Sequence, residues 1–310
     1  MILPKVSIMV IVYNQVEVIS ETIMSCINQD YENYEIVISD DGSTDGTVDV
    51  LKSLALSSNR IKLILNRVNQ GIVANSNIAL SNCSGEFIAF MGGDDILYRE
   101  KIRLQAEALI SDQGAVICYH PCDVMENGVI THVVGHRRKD LVKTFYDFIA
   151  KYGADIPGPS PMLRKNAIPS EGFDTRISAA CDWLMFIKTC KKGYAIRLKD
   201  TLAIYRKHSG NIGKKIFSYA DNFLYTLDIV ESEYGDDPKV VDSSQKGKKR
   251  FLLGIIFNSI LSENHEAFKK YTDIYTSLGG KLFYPALIVW HMRPFKRLII
   301  SSRSLLKKYF

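Results

Sequence analysis

Two pairs of neighbouring aspartates stand where strongly apolar stretches of the sequence end. Asp40 and Asp41 follow one such stretch, and Asp94 and Asp95 follow another through two glycines. Carboxylate oxygens are the ligands that Mg²⁺ and Mn²⁺ prefer, and such sites often leave other positions to water and substrate phosphates. A single pair is more often a turn former or a helix cap. Two pairs that a fold brings to the same edge favour a divalent cation beside a diphosphate.

The segments around these pairs alternate between strand and helix. Predicted strands cover Val6–Val12, Tyr34–Ser39, Ile61–Leu65 and Glu86–Met91, and predicted helices cover Val16–Asn28, residues 45–56 and Ile72–Asn82. This alternation at short spacing predicts an α/β fold with a doubly wound, mostly parallel, Rossmann-like sheet. Ligands of such sheets bind beyond the carboxyl ends of the strands. We therefore expect Tyr13 and Asn14, which end the first strand, to lie beside both acidic pairs.

Asp182 is a further candidate, because it begins a predicted helix over residues 182–191. A carboxylate within hydrogen-bond reach of a substrate hydroxyl can take its proton as that oxygen attacks. The same position also suits a helix N-cap. No predicted strand leads into a G-x-G-x-x-G or Walker-type glycine loop, which argues against dinucleotide and P-loop chemistry.

An ordered set of segments in this chain resembles the family 2 glycosyltransferases, which have the GT-A fold. The segments are Val6–Asn14, Asp40–Asp45, Asn69–Gly71, Ser84–Asp95, Glu171–Asp174, Cys181–Trp183 and Tyr205–His208. Each segment alone is a weak signal, whereas the set in this order and spacing is specific. The resemblance implies a transferase that uses a nucleotide-diphosphate sugar together with Mn²⁺ or Mg²⁺.

The resemblance also implies roles for the residues at the strand ends. Tyr13 and Asn14 would bind the nucleotide, with the Tyr13 ring against the base, and Asp41 would bind the edge of the base. Asp94 would contact the ribose or the metal, and Asp95 would ligate the metal at the diphosphate.

Two more roles follow from the resemblance, and three positions depart from the family pattern. Asp182 would be the general base, and His208 could hold the metal or the diphosphate, with a structural histidine as an equal alternative. The first acid of the family's acidic triplet is replaced by Gly92, the glutamate before the base by Cys181, and a basic residue by Ser76. The last departure implies that some contacts to the diphosphate come from elsewhere.

The distribution of charge separates the end of the chain from the rest. The net charge is +5 over 310 residues, but 13 Lys and Arg against 3 Asp and Glu lie from Lys246 onward. We therefore divide the chain into a catalytic domain at residues 1–214 and a basic helical annex at 215–310. Basic and aromatic residues mix in 282–310, which suits an anionic membrane surface; packing on the catalytic domain is the alternative.

The remaining sequence features concern the cellular location of the protein and its other possible ligands. The N-terminus lacks the layout of a signal peptide, and no apolar run is long enough to predict a membrane span. Six scattered cysteines are typical of reduced thiols, and Cys118 and Cys122 alone do not complete a zinc site. No nucleic-acid-binding module accompanies the basic charge. These features predict a cytoplasmic protein, peripheral on the inner face of the membrane.

Together these features predict an inverting, metal-dependent glycosyltransferase. The donor would be a UDP- or dTDP-sugar, and the acceptor a hydroxyl of a glycan or an undecaprenyl-linked acceptor, as in the synthesis of O-antigen or capsule-type polysaccharide. One alternative is a sugar-nucleotide nucleotidyltransferase, which would normally carry a glycine- and basic-rich loop after the first strand. Another is a non-catalytic GT-A scaffold, against which the presence of Asp41, Asp95 and Asp182 argues.

Overall fold

The computed structural model describes residues 3–135, 142–151, 156–178, 181–207 and 216–281. The strands are β1 Val6–Val12, β2 Tyr34–Asp40, β3 Ile61–Leu65, β4 Phe87–Gly92, β5 Ile96–Leu97, β6 Ala115–Tyr119, β7 Cys122–Glu126, β8 Val129–Val134, β9 Val142–Lys143, β10 Met162–Arg164, β11 Tyr194–Arg197 and β12 Ala203–Lys207. The helices are α1 Ile19–Ile27, α2 Thr47–Ser57, α3 Ile72–Ser81, α4 Lys101–Ser111, α5 Phe145–Ala150, α6 Cys181–Cys190, α7 Ile216–Tyr234, α8 Pro238–Leu261 and α9 His265–Ser277.

Eight strands form the main sheet, in the order β3-β2-β1-β4-β10-β6-β11-β9. β1 runs parallel to β2 and β4, β2 is parallel to β3, and β6 is parallel to β11. β10 enters antiparallel between β4 and β6. The predicted α/β fold with a mostly parallel central sheet is therefore confirmed, and the sheet is mixed at β10 and β9.

β1 lies at the centre of the parallel part, as its β-branched sequence predicts. Val6, Ile8 and Val10 are fully buried in one core with residues of α1, α2 and α4. Strands covered on both faces favour such continuous apolar runs. The buried strand β1 therefore provides a rigid support for the loops that follow β1, β2 and β4.

The first helix begins later than the predicted Val16, at Ile19. The Gln15 and Val16 backbone N–H groups donate instead to side chains at and just before the start of α2, Thr47 Oγ1 and Asp45 Oδ2. Those bonds hold residues 13–18 as a loop. The prediction was wrong here because the competing partners lie about 30 residues further along the chain.

A second, four-stranded sheet has the order β5-β12-β7-β8. Its β7–β8 hairpin turns at Asn127 and Gly128, both with positive φ (52° and 79°). Asn-Gly turns with this geometry match the twist of paired strands, so the Asn-Gly sequence favours the hairpin at this point. β5 follows the acidic turn after β4, and β12 pairs with it.

The chain divides into two compact units. The first comprises Met1–Phe148 and Gly153–Lys214, and the second Ile149–Tyr152 and Lys215–Phe310. The described part of the second unit contains α7, α8 and α9, whose buried apolar residues form a separate core around Leu252, Ile255 and Ile256. The basic segment 282–310 lies outside the described residues.

Candidate active site

Three loops meet at one edge of the main sheet, because the strands before them are neighbours in register. Val12 of β1 pairs with Asp40 of β2, and Ile11 pairs with Gly92 of β4. The loops that begin at Tyr13, at Asp41 and after Gly92 therefore start side by side. This is the edge at which the sequence predicts a ligand.

The loop after β1 is tied to the loop after β2 by side-chain hydrogen bonds. The Asn14 N–H donates to Ser43 Oγ (2.8 Å), and the Thr44 N–H donates to Asn14 Oδ1 (2.9 Å). Asn14 has a φ of 51°, a conformation that asparagine tolerates better than most residues. Tyr13 is left 46% exposed, so its ring is accessible to a planar ligand.

Asp41 is almost fully buried and organises the loop before α3. Its carboxylate accepts hydrogen bonds from the Gln70 and Gly71 N–H groups, both at 2.9 Å. The neighbouring Gly42 has a φ of 75°, and a Cβ there would lie 2.7 Å from the Val68 carbonyl carbon. Asn66 Nδ2 also donates to Asp41 Oδ1 (3.4 Å). Asp41 thus supports the structure of the loop, and its Oδ2 retains room for a further donor.

The turn after β4 presents two carboxylates in different environments. Asp94 is partly exposed, whereas Asp95 is buried and its Oδ1 accepts the Arg206 N–H at 3.1 Å. Burial, and then the neighbouring charge of Asp94, raise the pKa of Asp95 well above its usual value. Tyr205 lies near the same pair, and burial together with Asp95 and Asp94 raises its pKa to about 12.

These two carboxylates fit a divalent cation. A buried carboxylate beside a second one is unfavourable when ionised, and a bound cation reverses that preference. No group of three or more His, Cys, Asp or Glu side chains among the described residues is placed to hold a metal. Two carboxylates leave positions for water and phosphate, which suits Mg²⁺ or Mn²⁺. His208 lies outside the described residues.

Asp182 occupies the first turn of α6, which begins one residue earlier at Cys181. Its side chain is reached by solvent, yet burial by the surrounding protein raises its pKa. Its Oδ1 accepts a hydrogen bond from the Trp183 N–H at 2.8 Å, and this hydrogen bond offsets part of the rise in the pKa. The Asp182 carboxylate is therefore accessible to a substrate hydroxyl.

The helix that carries Asp182 is firmly anchored. Trp183 is buried, and its indole N–H donates to the Phe148 carbonyl at 2.7 Å. Lys188 is also buried and forms ion pairs with Asp174 (3.2 Å) and Glu171 (3.1 Å). The Arg176 side chain, with smaller contributions from Lys188, holds the pKa of Asp174 well below its usual range. The segment 171–174 is therefore a support for α6.

Asn77 is a residue whose role sequence reasoning missed. Its side-chain amide donates to the Phe173 carbonyl (2.8 Å) and accepts the Phe173 N–H (2.7 Å). This pair of bonds joins α3 to the segment that supports α6. The only signal in the sequence was its place in the family-like pattern after Ser76.

Comparisons with known proteins support the family and the fold that the sequence predicts. The model of the family described as Glycosyl transferase family 2 matches residues 7–169, which is more than half of the chain. The chain belongs to this family. An uncharacterized glycosyltransferase of Haemophilus influenzae is 45% identical to this family 2 glycosyltransferase over 302 residues, which cover 87% of this chain and 88% of the relative.

Other relatives of this family 2 glycosyltransferase differ in how much they share. The GalNAc(5)-diNAcBac-PP-undecaprenol beta-1,3-glucosyltransferase of Campylobacter jejuni is 26% identical over 93% of this chain and 92% of its own. With two further curated relatives, another from Haemophilus influenzae and one from Bacillus subtilis, the match spans only 52% and 38% of their length.

Solved structures show the same fold at low sequence identity. S. aureus TarS 1-349, in complex with UDP-GlcNAc, has a TM-score of 0.60 at 17% identity, covering 88% of this chain and 90% of that one. The mannosyltransferase PcManGT from Pyrobaculum calidifontis, in complex with GDP-Man and Mn²⁺, has a TM-score of 0.57, covering 96% and 86% at 17% identity. The expected GT-A fold is thereby confirmed.

Two features outside the candidate site concern the cysteines and the apolar segments of the chain. All six cysteines are buried and free, and the His120 ring between Cys118 and Cys122 bonds to the Pro121 carbonyl. Among the described residues, no helix is both long and apolar enough to cross a membrane.

Proposed function

We propose that this family 2 glycosyltransferase moves a sugar from a nucleotide-diphosphate donor to a hydroxyl of a lipid-linked glycan. The observation that carries the proposal is the meeting of three loops at one sheet edge, with Asp41, Asp94 and Asp95 on two of them. The family relationship favours this reaction over nucleotidyl transfer and over a scaffold without activity.

The donor would lie across the three loops. The exposed Tyr13 ring would face the base, Asn14 would hold the loop against it, and Asp41 would accept a hydrogen bond from the base edge. The fold neighbours bind UDP-GlcNAc and GDP-Man, which supports a nucleotide sugar at this edge. UDP- and dTDP-sugars are the donors we favour.

Asp94 and Asp95 would hold Mn²⁺ or Mg²⁺ at the diphosphate, with His208 as a further candidate ligand. When bound, such a cation stabilises the negative charge that develops on the leaving diphosphate. The Arg206 N–H keeps Asp95 Oδ1 oriented, so the protein contributes a fixed carboxylate rather than a flexible one. A neighbour with bound Mn²⁺ supports this choice of metal.

Asp182 would act as the general base of a single displacement with inversion. Its carboxylate would take the proton of the acceptor hydroxyl while that oxygen forms a bond to the anomeric carbon and the bond to the diphosphate breaks. Because the surrounding protein raises the pKa of Asp182, its carboxylate is a stronger base than one with the ordinary pKa of an aspartate. Trp183 and Lys188 hold the helix that positions it.

The acceptor class is inferred from a relative that spans nearly the whole chain. The Campylobacter jejuni enzyme is named for an acceptor on undecaprenyl diphosphate. We infer a similar lipid-linked acceptor here, and hence work at the inner face of the cell membrane, with the basic segment 282–310 on anionic lipid.

The test is a panel of UDP-, dTDP- and GDP-sugars, with the melting temperature measured in Mn²⁺ and in EDTA. We expect one class of nucleotide sugar to raise the melting temperature in Mn²⁺ and much less in EDTA, because only the folded protein binds the ligand. Equal melting temperatures with every nucleotide sugar in Mn²⁺ would contradict the proposal.

A further inference from the structure

The Gln15 backbone is fixed on both sides at the end of the first loop. Its N–H donates to Thr47 Oγ1 (2.8 Å), and its carbonyl accepts the N–H groups of Val18 (3.1 Å) and Ile19 (2.9 Å) at the start of α1. The backbone position from which the Gln15 side chain extends is therefore fixed. It lies next to the turn that carries Asp94 and Asp95.

The Gln15 carboxamide packs directly on Gly93, within that turn. A Cβ built on Gly93 would lie 2.2 Å from Gln15 Oε1 and 3.0 Å from Val12 Cγ2. Any other residue at 93 would therefore displace the carboxamide. The absence of side chains at Gly92 and Gly93 gives the Gln15 amide a place immediately before Asp94.

Gln15 Oε1 is buried and has no hydrogen-bond partner among the described residues. A buried amide oxygen without a donor is unfavourable, and such an atom in a native site points to a missing water, ion or ligand. The partner must be a hydrogen-bond donor. Phosphate oxygens of a nucleotide are acceptors, whereas its ribose hydroxyls can donate and accept.

We propose that the Gln15 carboxamide binds a ribose hydroxyl of the donor nucleotide. This inference rests on the proposed function, because it takes the sheet edge as the nucleotide site. A half-turn of the amide about its last torsion, which is soft, exchanges the positions of the oxygen and the NH₂ group. A hydroxyl satisfies both orientations, and Asp41 remains available for the base.

The test compares UDP, 2′-deoxy-UDP and 3′-deoxy-UDP by calorimetric titration of the full chain in Mn²⁺. We expect Gln15→Ala to weaken UDP binding by roughly 5- to 30-fold, the effect of one or two kcal/mol. With the analogue that lacks the contacted hydroxyl, wild type and Q15A should bind equally. Gln113→Ala, an exposed glutamine at the end of α4, is the matched control and should bind UDP as the wild type does.

A second variant tests the packing of the Gln15 side chain against Gly93. Gly93→Ala should weaken UDP binding in the wild-type background, because its Cβ displaces the carboxamide, and should cost little more in the Q15A background. Circular dichroism shows whether each variant is folded, and the Q15A comparison stands even if G93A does not fold.

Three outcomes would overturn the inference. The first is that Q15A binds UDP as tightly as the wild type. The second is that the loss of affinity in Q15A is as large with both deoxy analogues as it is with UDP. In either case the proposed function stands while the role of Gln15 falls. If the wild-type chain binds none of UDP, dTDP and GDP, the proposed function and this inference fall together.

Discussion

At the scale of single residues, the acidic turn after β4 pairs one carboxylate that solvent reaches with one that it does not. Asp95 is 3% exposed and depends on the Arg206 N–H, while Asp94 is partly exposed. A buried carboxylate at a strand end is costly for the fold alone. The cost of burying Asp95 therefore fits a carboxylate whose charge a bound cation would offset.

Asp95→Asn should remove metal-dependent nucleotide binding without harming the fold. We expect UDP affinity in Mn²⁺ to fall by at least about 10-fold, because the amide carries no charge for the cation. In EDTA the free energy of unfolding should stay equal or rise, since the buried carboxylate is gone. Calorimetric titration and urea unfolding measure the two quantities.

The control for this variant is Asp123→Asn on β7, which loses only a partner of the Tyr98 hydroxyl. It should keep the wild-type response to Mn²⁺. An unaltered response to Mn²⁺ in the Asp95→Asn protein would show that this carboxylate is not a metal ligand.

Asp41 should contribute to stability as well as to binding. Asp41→Ala removes the acceptor of the Gln70 N–H and one of the two acceptors of the Gly71 N–H. The free energy of unfolding should therefore fall by about 1–2 kcal/mol. Asp41→Asn keeps one carbonyl oxygen and should lose less. Urea unfolding of the three proteins tests this, and identical midpoints would refute the structural part of the role.

At the scale of elements, one network ties β1, β2 and the start of β4 at the sheet edge opposite the site. Glu35 accepts hydrogen bonds from Lys5, Ser7 and Ser84. Burial alone would raise the pKa of Glu35, but these bonds outweigh it and lower the pKa to about 2. The ionised form is therefore stabilised by folding.

This network predicts a specific dependence of stability on pH. Because the folded pKa of Glu35 lies below the ordinary value of 4.5, its contribution is complete above pH 4.5 and is lost as pH falls towards 2. Glu35→Gln should thus lower the free energy of unfolding by about 2 kcal/mol at pH 7, and by less at pH 3. Urea unfolding at both values is the measurement, and a difference that grows at pH 3 would contradict it.

The elements whose apolar residues follow a single period are the ones that the sequence predicts well. The buried run of β1, the Asn-Gly hairpin and the strands that end in acidic residues all have local patterns. The contacts of Asn77 with Phe173 and of Gln15 with Gly93 join segments about 96 and 78 residues apart. No local period encodes such contacts, so the supports of the site were visible only in the fold.

At the scale of the whole molecule, the chain combines an α/β unit that carries the candidate site with a helical unit that has its own core. The basic segment 282–310 follows the helical unit, and its charge and aromatic content predict an affinity for anionic membranes. This would place the enzyme where a lipid-linked acceptor is found.

The membrane prediction is tested by sedimentation with vesicles. We expect the full chain to bind vesicles that contain anionic lipid and to be released by salt, because the attraction is electrostatic. Replacing six basic residues by Gln should abolish binding to these vesicles: Arg293, Lys296, Arg297, Arg303, Lys307 and Lys308. Equal binding to neutral and anionic vesicles would exclude an electrostatic role for the segment.

The most direct test of the central claim is sugar transfer by Asp182→Asn, measured with the donor chosen by the panel and a lipid-linked glycan acceptor. The carboxamide keeps the shape of the side chain but cannot take a proton. We expect the transfer rate to fall roughly 10²- to 10⁴-fold, while calorimetric titration shows wild-type affinity for UDP in Mn²⁺. Transfer at the wild-type rate by this variant would contradict the assignment of Asp182 as the base.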